Sequence, residues 1–301
     1  MPEVEHLRRT LVPLLVGRLV SGATLHRRDV AVGPGDPMGG FARQRSPVRP
    51  RRLTAAQMLD RARILEIRRR GKLLALVAED GRALGIHLGM SGQVLWSARG
   101  GTLPKDHVHA TWRLDDGSRF VFRDPRRFGG LWVADRCERL PPWTRLGPDA
   151  LSISPADLAD RFMNAKRPIK AALLDQGLVA GVGNIYADEA LHRAGIHPLA
   201  LACALPRARL ERLGSCVGAL LEAAMRAGGS TLRDYRAAGG QAGEYQRSHR
   251  VYGRRGRACL ACGALLASGR IAQRMTVWCP RCQPASEGSL GASVSRGALS
   301  L

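Results

Sequence analysis

Two CxxC pairs, Cys259-Leu-Ala-Cys262 and Cys279-Pro-Arg-Cys282, stand sixteen residues apart near the end of the chain. Each pair lets two thiolates reach one metal from a tight turn, and two pairs complete a tetrahedral shell of four sulfurs. The spacing matches structural zinc. Zinc is redox-silent and the shell leaves no open position, so the metal folds the module rather than reacting. The segment between the pairs, GALLASGRIAQRMTVW, reads as a β-hairpin. Arg270, Arg274 and Arg281 make the module a small basic finger suited to phosphate contact. A redox CxxC or an iron–sulfur site competes, but neither pair follows a strand in a thioredoxin-like setting.

Lys and Arg total 47 against 25 Asp and Glu, a net charge of +22 over 301 residues. An Arg-rich, GC-biased proteome accounts for part of this excess. The rest points to a polyanionic partner, above all nucleic acid. No apolar run reaches the roughly 20 residues of a membrane span. The opening MPEVEHLRRT is charged and lacks an apolar stretch, so no signal peptide and no membrane partner are expected. Seven cysteines, four of them in CxxC pairs, suit a reducing cytoplasm. Cys137, Cys203 and Cys216 read as small buried or half-buried residues.

Val4, Leu7, Leu11, Leu14 and Leu15 recur at helical spacing, which predicts a helix over 3–16 stopped by Gly17. Residues 33–52 are rich in Gly, Pro and Arg and read as a basic loop. From 63 to 134, RILEIRR, KLLALVAE, RALGIHLG, QVLWSA, HVHATWRL, RFVFRD and GLWVAD read as strands separated by turns, which predicts a β-sandwich or barrel. Val108, Ala110, Trp112 and Leu114 share one face. Helices are expected over 155–164, 169–175, 184–194, 206–227 and 230–237. Residues 238–250 read as a Gly-rich loop, and the tail as disordered.

The segment 173–198, LLDQGLVAGVGNIYADEALHRAGIHP, places Gly-punctuated turns through Gly181 and Gly183 before a helix starting near Asn184. Clustered backbone N–H groups at such a helix start suit a phosphate, although an ordinary packing corner has the same texture. Together with PEVEHLRRTL, RRRGKLLALV, IHLGMSGQV, KDHVHATWRL, FRDPRRFGG, GGSTLRDY and VYGRRGRACLACG…AQRMTVWCPRCQ, it resembles the formamidopyrimidine-DNA glycosylase and endonuclease VIII family, in the family's order and over about residues 2–283.

The resemblance implies an α+β fold. An N-terminal β-sandwich domain with its helix would span 1–136, a helix–two-turns–helix DNA-binding domain 137–250, a four-cysteine zinc β-hairpin 251–283 and a disordered tail 284–301. It implies a bifunctional DNA glycosylase and apurinic-site lyase that flips an oxidised purine out of duplex DNA. An N-terminal proline amine attacks the sugar, the neighbouring glutamate handles protons, and β- and δ-elimination cut the strand. Pro2 and Glu3 are the candidate pair. Lys72 matches the catalytic strand lysine and Arg274 the zinc-finger arginine that grips phosphates. Met90, Arg126 and Phe128 match the wedge that fills the hole left by the flipped base. Asn184 matches a phosphate-binding asparagine and Lys166 a backbone contact; Lys105 stands where relatives often carry histidine. Taken alone, Lys72 reads as a strand-edge charge, and Met90 and Phe128 as core residues. The implied cofactor is one structural zinc held by Cys259, Cys262, Cys279 and Cys282. The implied partner is double-stranded DNA with oxidised bases, met by a monomer in a cytoplasm where it associates with the nucleoid.

The family pattern begins, after Met, Pro-Glu-x-Pro-Glu-Val-Glu, and Pro2-Glu3-Val4-Glu5 match its second Pro-Glu pair. Three residues are thus missing, and the expectation is a start three codons upstream. As written, the chain would place a Pro2 amine about 10 Å short, at roughly 3.3 Å per extended residue. That shortfall motivates one alternative, a non-catalytic paralogue that binds damaged DNA. The other alternative is the sister enzyme for oxidised pyrimidines. Mobility is also expected of a substrate loop within 229–250 containing Gly239, Gly240 and Gly243.

Overall fold

Each apolar run predicted as a strand between 63 and 134 forms one, within two residues of its expected ends. The computed structural model describes residues 1–32, 52–230 and 243–285. The predicted 33–52 loop apart from Arg52, the 230–237 helix apart from Ser230, Gly239 and Gly240 of the predicted substrate loop, and the tail from 286 lie outside the described residues. The chain divides into two compact units, Met1–Leu146 with Ala224–Gln246, and Gly147–Ala223 with Arg247–Leu301.

The first unit opens with α1 (Pro2–Leu15), followed by β1 (Val20–Leu25), β2 (Ile64–Arg70), β3 (Leu73–Ala78), β4 (Ala83–His87), β5 (Gln93–Ser97), β6 (Val108–Leu114), β7 (Arg119–Arg123) and β8 (Gly130–Ala134), then the short α2 (Pro141–Thr144). Two antiparallel sheets result, in the orders β1-β6-β7-β5 and β2-β3-β4-β8. Their inner faces share one core: Leu74, Leu76, Ile86 and Leu131 from one sheet, Val94, Trp112, Phe120 and Phe122 from the other. Leu7, Leu11 and Leu15 of α1 enter the same core, the apolar stripe read from the sequence. Trp112 and Phe120 stack at 4.7 Å between centroids, and the indole N–H donates to the Met58 carbonyl at 2.9 Å. β1 is the strand that sequence reading missed. VSGATL has little apolar alternation and gains its conformation from pairing with β6, Val20 against Leu114 and Leu25 against Ala110.

The second unit holds α3 (Pro155–Met163), α4 (Ile169–Leu174), α5 (Asn184–Ala194), most of α6 (Arg207–Arg226), and the hairpin β9 (Ala267–Ile271) and β10 (Arg274–Trp278). Ser154 caps α3 by accepting from the Asp157 N–H at 3.0 Å. A two-residue turn joins β9 to β10, and both of its residues, Ala272 and Gln273, have positive φ (49° and 60°). This is the backbone a tight hairpin requires. Cys203 is exposed, contrary to its expected burial, while Cys137 is buried as expected. No helix among the described residues is long and apolar enough to cross a membrane.

Candidate nucleic-acid interface and metal centre

The start of α1 gathers the first group of expected residues. Pro2 is buried at the first helical position, where a fixed φ and a missing N–H cost nothing. Its nitrogen lies in the peptide bond to Met1. The Met1 amine sits 3.0 Å from Glu3 Oε2, and Glu3 Oε1 accepts from the Ser230 N–H at 3.0 Å. Gly229 makes that contact possible. Its φ is +86°, and a Cβ there would come within 2.8 Å of Glu3 Cγ. Burial lowers the pKa of the Met1 amine; the Glu3 carboxylate opposes this, and the Lys72 ammonium lowers it further.

Lys72 is the second residue of the two-residue turn between β2 and β3. Its position relative to α1 is fixed by Glu5. That carboxylate accepts from Arg8 Nη2 at 2.9 Å, Arg9 Nε at 2.9 Å and Arg69 Nε at 2.9 Å. Arg69 also donates to the carbonyl of Gly71 at 2.9 Å. Burial pushes the Glu5 carboxyl up, but the three arginines outweigh it and hold it at about 2.

Met90, Arg126 and Phe128 lie on two loops pinned to one carboxylate that sequence reading did not single out. Asp124 is fully buried. It accepts from the Ser91 hydroxyl, from the Gly129 N–H at 2.7 Å and from the Arg126 N–H at 3.3 Å. Ser91 adjoins Met90; Arg126 and Gly129 bracket Phe128. The loops also meet at Gly89, where φ is +63° and a Cβ would come within 2.4 Å of the Phe128 carbonyl carbon. Met90 is 54% exposed and Phe128 only 7%, with the Arg126 guanidinium carbon 4.6 Å from the Phe128 ring centroid. Arg127 between them takes φ +54° and pairs with Asp29 at 2.8 Å. Lys105 is exposed on the β5–β6 loop, which is tied to β7 by Arg123 Nε donating to the Asp106 carbonyl at 3.1 Å.

In the second unit, α5 aims the remaining residues. Gln176 stitches the turns before it, donating to the carbonyls of Leu174 and Val182, both at 3.0 Å, and accepting from the Gly181 N–H at 3.0 Å. Asn184, at the first turn of α5, donates to the Met275 carbonyl at 2.9 Å. One turn on, Asp188 pairs with Lys170 at 2.6 Å, both side chains fully buried. Lys170 donates to Thr276 Oγ1 at 2.6 Å and to the Met275 carbonyl at 3.2 Å, and Asp188 accepts from the Val277 N–H at 3.1 Å. The pair therefore fixes β10, and with it the exposed Arg274, against the helix that carries Asn184. Burial pushes Lys170 down and Asp188 up, the latter to about 6, with their mutual attraction opposing both. Glu189 receives the N–H groups of Arg250, Val251 and Tyr252 at 2.9–3.0 Å. Lys166 is exposed just before α4.

The four cysteines converge as their spacing predicted. Their sulfurs all lie within 4.8 Å of one another, with Cys259–Cys282 at 3.9 Å and Cys262–Cys279 at 3.4 Å. A tetrahedral shell with metal–sulfur bonds of ~2.3 Å has edges of ~3.8 Å, so the arrangement fits a metal ion.

Models of two domains match the chain: the formamidopyrimidine-DNA glycosylase N-terminal domain over residues 1–131 and the formamidopyrimidine-DNA glycosylase H2TH domain over 146–236. A formamidopyrimidine-DNA glycosylase of Cereibacter sphaeroides is 41% identical over 296 residues, covering 94% of this chain and 99% of the relative. One from Thermomicrobium roseum is 41% identical over 302 residues, covering 94% and 98%. Among solved structures, the MutM (Fpg) protein of Thermus thermophilus superposes with a TM-score of 0.78 at 38% identity, covering 94% of this chain and 98% of that one. A Lactococcus lactis Fpg complexed with DNA containing an abasic site gives 0.79 at 29% identity, covering 95% and 99%.

Proposed function

The chain belongs to the formamidopyrimidine-DNA glycosylase family, and on that premise we propose that it is a bifunctional DNA glycosylase and apurinic-site lyase that removes oxidised purines, such as 8-oxoguanine and formamidopyrimidines, from duplex DNA. The observation that carries the reading is the cluster at the start of α1: the buried terminal amine, here that of Met1, with the Glu3 carboxylate 3.0 Å away and Lys72 close enough to depress it.

An α-amine titrates near 8, and burial shifts it toward the neutral, nucleophilic form. Pro2 acts once its nitrogen is the free terminal amine. It attacks the deoxyribose C1′, the glycosidic bond breaks, and the base leaves with a proton. The C1′–O4′ bond then opens, O4′ takes a proton, and the resulting iminium withdraws electrons from the sugar, so that loss of a C2′ proton expels the 3′ phosphate, and a second elimination expels the 5′ phosphate. Glu3 shuttles protons at this centre and Lys72 contacts the sugar-phosphate and donates a proton.

Met90 fills the space of the extruded base, supported by Phe128, while Arg126 reaches the partner base. The Met90 and Arg126-Arg127-Phe128 loops favour the purine branch over the pyrimidine one. Arg274, Asn184, Lys166 and Lys105 hold the backbone. The four cysteines hold one zinc ion, which supplies folding stability to the hairpin and no reaction chemistry. A monomer meets both strands at one lesion.

Borohydride trapping on duplexes carrying 8-oxoguanine or thymine glycol tests the reading. The expected result is strand cutting at 8-oxoguanine and an adduct mapped by mass spectrometry to the N-terminal proline of the native chain, which is Pro2 if its nitrogen is the free terminal amine. Cutting of thymine glycol alone would assign the pyrimidine-directed activity instead. Tight lesion binding with neither scission nor adduct would leave a damage-binding protein.

A further inference from the structure

The zinc reading leaves one buried side chain beside the cysteine cluster without a role. His192, on the third turn of α5, places Nε2 3.5 Å from Cys259 Sγ. Both residues are buried, at 6% and 3% exposure. Four thiolates around a divalent cation carry a net charge of −2, and a buried anionic shell needs hydrogen-bond donors. Backbone amides supply some: Ala261 N–H points to Cys259 Sγ at 3.5 Å, and Cys282 N–H to Cys279 Sγ at 3.4 Å. His192 adds a side-chain donor that comes from a different element of the fold.

We propose that His192 donates an Nε2–H···S hydrogen bond to the Cys259 thiolate and is the outer-sphere positioning residue of the metal site, coupling metal occupancy to the helix that bears Asn184. The inference rests on the reading of the cysteine cluster as a zinc centre. The four sulfurs already complete a tetrahedron, so the imidazole takes the outer position. Its tautomer follows from its surroundings. A thiolate only accepts, and Nδ1 is buried with no partner to receive a hydrogen, so the proton belongs on Nε2, facing the sulfur. Glu189, three residues earlier on α5, accepts from the backbone N–H groups of Arg250, Val251 and Tyr252 and so ties this turn of the helix to the segment that leads into the cysteine module. Metal binding would therefore order α5 from its C-terminal half, while Asp188 and Asn184 order it against β10.

Two variants of the full chain test this. His192→Phe keeps the ring volume and removes the donor; His192→Gln keeps an N–H. Zinc affinity is read by competition with a chromophoric chelator, and the sulfur-to-metal charge-transfer band by cobalt substitution. The expected result for His192→Phe is an affinity lower by about 10- to 100-fold and a band moved to lower energy, since the thiolate lone pair loses its donor. His192→Gln should recover most of both. A His192→Phe protein within twofold of wild type with an unmoved band overturns the proposal, as does a His192→Gln protein as impaired as His192→Phe. Nitrogen-15 shifts of the wild-type ring give a check independent of variant folding: a hydrogen on Nδ1 instead of Nε2 overturns it as well. Wild-type protein that takes up neither zinc nor cobalt would instead refute the zinc reading itself, and the inference with it.

Discussion

Glu5 and Arg69 form a hydrogen-bonded ion pair, Nε to Oε2 at 2.9 Å, with side-chain exposures of 7% and 8%. It ties the first turns of α1 to the strand that ends at the Gly71–Lys72 turn, and so fixes Glu3 and Lys72 relative to each other. The Glu5 carboxyl is held at about 2 against an ordinary 4.5. A carboxyl depressed in the folded state contributes stability that is full above its unfolded pKa and lost as pH falls through the folded one. The window here is pH 5 to 2. The shift corresponds to at most about 3 kcal/mol, less a discount for the partly exposed Arg8 and Arg9. Urea titrations from pH 7 to 3 should show Glu5→Gln less stable at pH 7 and converging on wild type at low pH. A constant gap across that range would exclude the carboxylate as its cause.

Asp124 should act on DNA through the two loops it pins. Asp124→Ala removes the acceptor for the Ser91 hydroxyl and the Gly129 N–H, at about 1–3 kcal/mol for each buried donor left unpaired. We expect a lower thermal midpoint and weakened extrusion of the lesion base, read by the fluorescence of 2-aminopurine next to it. Non-specific duplex binding should stay close to wild type. Met90→Ala, at an exposed position, should weaken extrusion without the thermal loss. If Met90→Ala extrudes normally, the wedge assignment fails. If only Asp124→Ala does, Asp124 has no part in positioning it.

The sequence signal was strong where chemistry is local. The cysteine cluster was visible because two residues per turn define it, and β2 to β8 because their apolar runs are bounded by turn residues. The positioning groups were hidden because their partners are remote in the chain. Glu5 and Arg69 are 64 residues apart, Ser230 and Glu3 227, and Ser91 and Asp124 33. An aspartate in FRDPRR reads as an ordinary charge until the fold buries it. Phe128 shows the converse. The resemblance makes it part of the wedge, its apolar character alone suggests core, and the fold leaves it 7% exposed with the Arg126 guanidinium over its ring.

The Lys170–Asp188 pair should be costly to break from one side. Lys170→Met leaves a carboxylate fully buried, and removal of one partner of such a pair costs about 3–5 kcal/mol. Burial already raises Asp188 to about 6, and the loss of Lys170 raises it further. A carboxyl raised in the folded state binds its proton more tightly than the unfolded chain does, so stability increases as pH falls through the folded pKa. The deficit of Lys170→Met, measured by denaturant titration, should therefore shrink between pH 7 and pH 5. The double variant Lys170→Met/Asp188→Leu should recover part of it. A deficit independent of pH, or a double variant worse than the sum of the single ones, would mean the charge left behind is not the source of the loss.

Arg274 begins β10 and is exposed, on a strand anchored by Thr276 and Val277 through Lys170 and Asp188. On the proposed reading Arg274 acts through charge on phosphate, a contribution that is independent of sequence and sensitive to salt. Arg274→Ala should weaken binding to lesion and undamaged duplexes by a similar factor, and reduce the slope of log affinity against log salt by about 1. Arg274→Lys should restore the slope and only part of the affinity, because an ammonium lacks the guanidinium's paired donors. The measurement is fluorescence anisotropy on both duplexes from low to physiological salt. An unchanged slope for Arg274→Ala would place this side chain away from the phosphates. A loss confined to the lesion duplex would make it a reader of the damaged nucleotide rather than a grip on the backbone.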